Sequence, residues 1–82
     1  MSEIIKVLIV DDQQIIIDGI TALLKIERNI KICGGCNNPQ LLTEKITECD
    51  PNVILMDFNM PGKDGIECLK EVHTLWPEMK VL

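Results

Sequence analysis

Three aspartates that follow apolar runs are the residues of this sequence best suited to chemistry. Asp11 and Asp12 come after residues 4–10, and Asp57 comes after Val53–Met56. Both runs are short and aliphatic, which is typical of buried strands in a parallel sheet. Since ligands of open α/β sheets bind at the carboxyl ends of the strands, we predict that the three carboxylates lie at the ligand-binding edge.

These carboxylates are predicted to converge if the first and third strands are neighbours in the sheet. Like charges at short distance repel one another, and a divalent cation relieves that repulsion. Ligation by oxygen atoms alone suits Mg²⁺. The sequence therefore predicts a magnesium site whose ligands are Asp11, Asp12, Asp57 and, through its backbone carbonyl, Asn59.

Asp57 is also interpreted as a phosphoacceptor. Aspartate is an established nucleophile in phosphoryl transfer, and a metal ion beside it neutralises charge on the transferred group. The simpler interpretation is that Asp11 and Asp12 cap the first helix and Asp57 caps a loop. Three acids at adjacent strand ends favour a common site over three separate caps. No residue is assigned a catalytic role, because we predict a switch rather than an enzyme.

Alternating strand and helix patterns predict the elements that position these acids. Short apolar runs predict strands over residues 4–10, 30–36, 53–57 and 79–82. Helical spacing predicts helices over residues 13–28, 38–49 and from 64 to just before Pro77, with Asn38 and Asp64 as N-caps. The order β-α-β-α-β-α-β predicts an α/β fold with a parallel sheet and helices on both faces.

The spacing of apolar residues also predicts which helix faces are buried. In the first helix the predicted inner stripe is Ile16, Ile20, Leu23 and Leu24, with Ile17 exposed on the far side. Gly19 is attributed to a close approach of this helix to the sheet, since glycine inside a helix otherwise costs about 1 kcal/mol. In the third helix the predicted inner face is Ile66, Leu69 and Val72.

Composition limits the classes of protein and partner. A chain of 82 residues with one Phe, one Trp and no Tyr is one small domain with a thin aliphatic core. A net charge of −5 opposes direct contact with nucleic acid. No apolar run is long enough for a membrane span, and the N-terminal residues lack a signal-peptide pattern. We therefore expect a cytoplasmic protein without a membrane partner.

The four cysteines are interpreted as reduced thiols that fill small apolar positions. One alternative is a dithiol redox site at Cys33 and Cys36, which are separated by two glycines and precede a predicted helix. A weaker alternative is a zinc site in which Cys49 or Cys68 joins that pair together with His73.

Three segments resemble the receiver domain of two-component response regulators. They are V-L-I-V-D-D at residues 7–12, D-G-I-T-A-L-L at 18–24, and P-N-V-I-L-M-D-F-N-M-P-G-K-D-G at 51–65. The resemblance covers the whole chain and implies a flavodoxin-like, doubly wound sheet. Together with Gly19, the stretch I-C-G-G-C-N-N looks most like regulators that carry a helix-turn-helix DNA-binding output domain.

The same resemblance implies roles for the acids. Asp57 would take a phosphoryl group from a sensor histidine kinase. Asp12 would be the direct Mg²⁺ ligand, Asp11 would hold metal-bound water, and the carbonyl of Asn59 would complete the site. The residue pattern by itself predicts only that these four residues form one metal site. Their individual roles come from the resemblance.

The resemblance also implies that residues 1–82 form an incomplete receiver domain. A complete one has five strands in the order 2-1-3-4-5 and five helices, whereas this sequence ends in the fourth strand. We therefore expect the order 2-1-3-4, without the last strand, two helices, and the family's hydroxyl residue and lysine. A bare fourth strand predicts self-association, because unpaired edges bind other chains. An alternative function is therefore a dimerisation or interaction module that works without phosphorylation.

Overall fold

The computed structural model of the chain describes residues 3–57 and 65–82. Its elements alternate as the sequence predicts: β1 (Ile5–Val10), α1 (Gln14–Leu24), β2 (Ile30–Cys36), a 3₁₀ turn (Pro39–Leu41), α2 (Leu42–Cys49), β3 (Val53–Met56), α3 (Gly65–Leu75) and β4 (Lys80–Val81). In the described parts of the chain, no helix is long and apolar enough to cross a membrane.

The strands of the described residues form one parallel sheet in the order β2-β1-β3-β4. This confirms the predicted order and the α/β, flavodoxin-like fold class. Val10, the last residue of β1, is level with Cys36 of β2 and Met56 of β3. The carboxyl ends of the three strands therefore meet at one edge, where the loops that carry the acids begin.

Successive side chains along a strand point to opposite faces of the sheet, and they pack into two cores, one on each face. Leu8 and Val10 of β1 join the larger core, which α2 and α3 cover. Val7 and Ile9 face the opposite way and join the smaller core, which lies under α1. Since β1 is covered on both faces, its sequence is almost continuously apolar, as is typical of parallel sheets.

The predicted buried face of α1 was wrong. Ile17 is the buried residue of this helix, with 4% of its surface exposed, whereas Ile16 is 41% exposed and Leu23 is 74% exposed. Ile20 and Leu24 are half-buried, so they belong to the inner side as predicted. The apolar residues of this helix are spread around its circumference, and its position against β2 selects which of them is buried.

The glycine that allows this close approach is Gly35 on β2, not Gly19. A Cβ atom added to Gly35 would lie 2.5 Å from Cγ2 of Ile17. Gly19 is exposed, and a Cβ added there would meet nothing within 4 Å. The explanation that the sequence suggested for Gly19 was therefore wrong, because that residue lies on the solvent side of α1.

Two helix predictions need smaller corrections. Helix α1 ends at Leu24 rather than at residue 28, because Glu27 donates its N–H to the Leu24 carbonyl in a turn (3.0 Å). In α3, Cys68 and Val72 are fully buried, whereas Ile66 is 58% exposed. The inner face of α3 therefore begins at Cys68, two residues later than predicted. The predicted cap of α3 at residue 64 lies outside the described residues.

The start of the second helical segment is as predicted. The side chain of Asn38 accepts a hydrogen bond from the N–H of Gln40 (3.0 Å), and Pro39 occupies the first helical position. The first turn is a 3₁₀ turn that leads directly into α2. Asn38 thus satisfies a helix N–H that no carbonyl of the helix can reach.

Candidate functional site

The backbone around the aspartates continues the sheet past its last assigned residues. Asp57 donates its N–H to the carbonyl of Val10 (2.9 Å), and Asp11 donates its N–H to the carbonyl of Cys36 (3.0 Å). These two bonds tie the ends of three neighbouring strands together. They therefore hold Asp11 and Asp57 side by side at the carboxyl edge of the sheet.

The three acids form one carboxylate cluster. Asp11, Asp12 and Asp57 each have a carboxylate oxygen within 4.8 Å of the corresponding atom of the other two. All three residues are half-buried. The structure therefore brings together three of the four predicted ligands. The fourth, Asn59, lies outside the described residues, and the roles of all four stay predictions at this point.

Asp11 also caps the loop that leads into α1. Its Oδ1 accepts a hydrogen bond from the N–H of Gln13 (2.9 Å), and Gln13, the residue before α1, makes no side-chain cap of its own. This bond orders the turn before α1 but caps no N–H of the helix, so the prediction that Asp11 caps the first helix is not confirmed. A carboxylate has two oxygen atoms and about four acceptor sites, so this turn and metal binding are compatible.

The donor atoms of this cluster suit a hard divalent cation. Carboxylate oxygens at the half-buried end of a sheet match the preference of Mg²⁺ for a few carboxylates with room for water and phosphate. Among the described residues, this is the one group of three or more His, Cys, Asp or Glu side chains close enough to hold a metal ion. The cysteines and His73, all within those residues, therefore form no zinc site there.

A shallow cleft of about 260 Å³ adjoins the cluster on the side of α1. Asp11 and Asp57 contribute its acidic wall, and the remaining lining is formed by backbone and apolar side chains of Ile9, Val10, Ile20, Leu55, Met56 and Leu82. A larger cleft, of about 520 Å³, lies elsewhere, around Pro51, Trp76 and Met79. The acids therefore have an open space beside them.

The cysteines proposed as a redox pair have separate partners. Cys36 is fully buried, and its thiol donates to the carbonyl of Asn38 (3.0 Å), while the thiol of Cys33 donates to the carbonyl of Val7 (3.5 Å). Burial raises the pKa of Cys36. Burial, with a contribution from Cys49, raises the pKa of Cys33 to about 12. Both residues lie in β2 three positions apart, a spacing of about 10 Å in a strand and longer than a disulfide spans, so the structure opposes that alternative.

Comparison with known protein families settles which family carries this arrangement. Residues 7–82 match the family described as response regulator receiver domain. The chain belongs to this family. The match covers Asp11, Asp12 and Asp57 and the whole parallel sheet apart from the first two residues of β1, and it agrees with the resemblance that the sequence motifs indicated.

Curated relatives of this receiver domain include regulators of transcription. It is 36% identical over 78 residues to the transcriptional regulatory protein LnrK of Bacillus subtilis, and 35% identical over 78 residues to the response regulator GacA of Pseudomonas syringae. Each match covers 95% of this chain but 36% of the relative. The receiver domain therefore spans about a third of the length of these relatives.

Solved structures resemble this receiver domain over nearly its full length. The receiver domain of RcsB from Escherichia coli has a TM-score of 0.88 at 26% identity, covering 96% of this chain and 63% of that one. The response regulator domain of CheB from Thermotoga maritima has a TM-score of 0.86 at 30% identity, covering 96% and 58%. Enzymes also occur among the relatives, since one from Xanthomonas oryzae is a protein-glutamate methylesterase/glutaminase.

Proposed function

We propose that this receiver domain is a switch that accepts a phosphoryl group on Asp57 from the phosphohistidine of a sensor histidine kinase. The observation that carries the proposal is the set of three carboxylates whose oxygen atoms lie within 4.8 Å of one another at the carboxyl edge of the sheet. Membership of the receiver family supports the same assignment. The proposed activity is acceptance of the group, not turnover of a substrate.

In the proposed transfer, a carboxylate oxygen of Asp57 attacks the phosphorus atom. A phosphorus–oxygen bond forms, and the phosphorus–nitrogen bond of phosphohistidine breaks. The bonding electron pair stays on the imidazole nitrogen, which takes up a proton. The backbone bond from Asp57 to Val10 fixes the chain at the attacking residue, and such positioning is a major part of phosphoryl-transfer catalysis.

We propose that Asp11, Asp12, Asp57 and the carbonyl of Asn59 hold Mg²⁺. When bound, the ion neutralises negative charge on the transferred group. Asp12 is proposed as the direct ligand and Asp11 as the residue that holds metal-bound water. The bond from Gln13 N–H to Asp11 supports this division, because it already engages one oxygen of Asp11.

The test is to incubate the chain with Mg²⁺ and a small phosphodonor such as phosphoramidate, and to measure its intact mass. We expect the added mass of one phosphoryl group, labile to base as an acyl phosphate is, and no addition when the metal is chelated. A folded chain that gains no phosphoryl group in Mg²⁺ would overturn the proposal.

The substitution Asp12→Asn is expected to weaken Mg²⁺ binding by about tenfold or more, since each tenfold corresponds to about 1.4 kcal/mol and the lost charge faces a divalent ion. In metal-free buffer the same variant is expected to be more stable than wild type by up to about 1 kcal/mol, because it removes like-charge repulsion. Calorimetric Mg²⁺ titration and thermal unfolding with and without Mg²⁺ measure the two effects. A variant with wild-type affinity would exclude Asp12 as a ligand.

We further propose that the phosphorylated domain controls an output domain that regulates transcription. The names of the curated relatives support this, as do structures of RcsB bound to DNA. The acidic net charge of −5 makes this segment itself unsuited to contact DNA. A reporter gene controlled by the full-length protein should respond to Asp57→Asn if the proposal is correct. The cytoplasmic location stays a prediction.

A second candidate function, self-association without phosphorylation, has its own structural support. Among the described strands, β4 pairs with β3 and forms an edge of the sheet. Apolar side chains on and just after α1 are also exposed: Ile15 at 75% and Leu23 at 74% on the helix, and Ile26 at 83% two residues beyond its end. Unpaired edges and exposed apolar patches favour association. Light scattering over a range of concentrations tests this, and a monomer at high concentration would exclude it.

A further inference from the structure

An irregularity in β2 explains why Cys33 lies near Cys49, a cysteine of another element. Val7 of β1 pairs with Ile32, but the next residue, Leu8, pairs with Gly34. Cys33 is therefore an extra residue in β2, as in a β-bulge. At a bulge the alternation of side chains is broken, and the positions of Cys33 and Gly34 both face the core that α2 covers.

The thiol of Cys49, the last residue of α2, occupies the space above Gly34. A Cβ atom added to Gly34 would lie 2.9 Å from Sγ of Cys49. The missing side chain at Gly34 therefore leaves room for the Cys49 sulfur directly beside the bulged residue. The side chains of Cys33 and Cys49 are close enough to interact, since Cys49 contributes to the raised pKa of Cys33.

Both residues of this pair are partly exposed. Cys33 and Cys49 are half-buried and pack against the larger core, whereas Cys36 and Cys68 are fully buried within it. The Cys33–Cys49 pair therefore lies nearer to solvent than the other two cysteines, which are enclosed. Reactivity of cysteines depends on such access as well as on thiolate character.

We propose that Cys33 and Cys49 form a reversible dithiol site that reacts with small-molecule disulfides such as glutathione disulfide. The product is an intramolecular disulfide between β2 and the end of α2. The site is separate from the carboxylate cluster, and it does not rest on the proposed phosphoacceptor function. It also replaces the pairing of Cys33 with Cys36 that the sequence suggested.

The reaction starts at Cys49, because the raised pKa of Cys33 keeps that residue as a thiol. The Cys49 thiolate attacks one sulfur of glutathione disulfide, forms a mixed disulfide and releases one glutathione thiolate. Cys33 then loses its proton to solvent and attacks the Cys49 sulfur, which releases the second glutathione. Two protein thiols are oxidised, and one glutathione disulfide is reduced to two glutathiones.

The test is to incubate the folded wild-type chain with glutathione disulfide and to map its disulfides by peptide mass analysis. We expect a Cys33–Cys49 disulfide that is reversed by dithiothreitol. The bond should raise the thermal unfolding midpoint by at least about 5 °C, because it restricts the unfolded chain. In the Cys33→Ser variant the reaction should stop at a mixed disulfide between glutathione and Cys49. The Cys49→Ser variant should form no internal disulfide.

Cys36→Ser and Cys68→Ser are the matched controls, and both should still form the Cys33–Cys49 bond. Circular dichroism identifies any variant that fails to fold. Disulfide mapping of the wild-type chain tests the proposal even if a variant does not fold. A wild-type disulfide between Cys33 and Cys36 would overturn the proposal. So would oxidation of Cys33 and Cys49 only after unfolding in urea.

Discussion

Replacing Asp57 with asparagine is expected to abolish the phosphoryl adduct formed in Mg²⁺ and phosphoramidate. The amide is nearly the same size as the carboxylate but lacks the anionic oxygen that attacks phosphorus. The backbone bond from residue 57 to Val10 does not involve the side chain, so the fold should be retained. Intact mass measures the loss, which should be complete at times when the wild-type chain is largely converted.

The matched control for this prediction is Asp18→Asn. Asp18 is an exposed acid on α1 whose Oδ1 accepts a hydrogen bond from Gln14 (2.9 Å), and an asparagine oxygen can accept the same bond. This variant makes the same change of net charge and should form the adduct as the wild-type chain does. If Asp57→Asn still gained one phosphoryl group, mapping of the adduct would show which other residue is the acceptor, and the assignment of Asp57 would be wrong.

Replacing Gly35 with alanine is expected to destabilise the fold by about 1–3 kcal/mol, the usual cost of adding a group to a packed core. The new Cβ would lie 2.5 Å from Cγ2 of Ile17. That methyl group belongs to a β-branched side chain, which has few alternative rotamers in a helix. The helix itself must therefore shift away from β2. Urea denaturation of both proteins measures the free energy of unfolding.

Two further variants separate this steric effect from a general effect of adding alanine. In the Ile17→Ala background, Gly35→Ala should cost much less, because the opposing methyl group is absent, and a double-mutant cycle measures that coupling. Gly19→Ala should instead stabilise the protein by up to about 1 kcal/mol, since alanine favours helix and nothing lies within 4 Å. If Gly35→Ala had the same free energy of unfolding as the wild-type protein, α1 would be able to shift away from β2 without loss of stability.

The sequence by itself determined the order of elements and the edge at which the acids meet. The apolar runs of β1 and β3 are clear local patterns of buried strands, and the weaker pattern of β2 also predicted its bounds. Alternating strands and helices allow few topologies, because parallel crossovers are right-handed. The alternation does not fix the order of the strands, which the resemblance to receiver domains implied and the structure confirms as β2-β1-β3-β4; this order brings Asp11, Asp12 and Asp57 together.

Only the tertiary structure decided which side chains meet between elements. Helix α1 has apolar residues around most of its circumference, so periodicity could not show that Ile17 is buried; its contact with Gly35 decides this. Likewise, Cys33 and Cys36 are close in sequence, but a one-residue bulge and the space above Gly34 place Cys33 beside Cys49. Local patterns specify elements, whereas the offset and rotation of packed elements depend on residues distant in sequence.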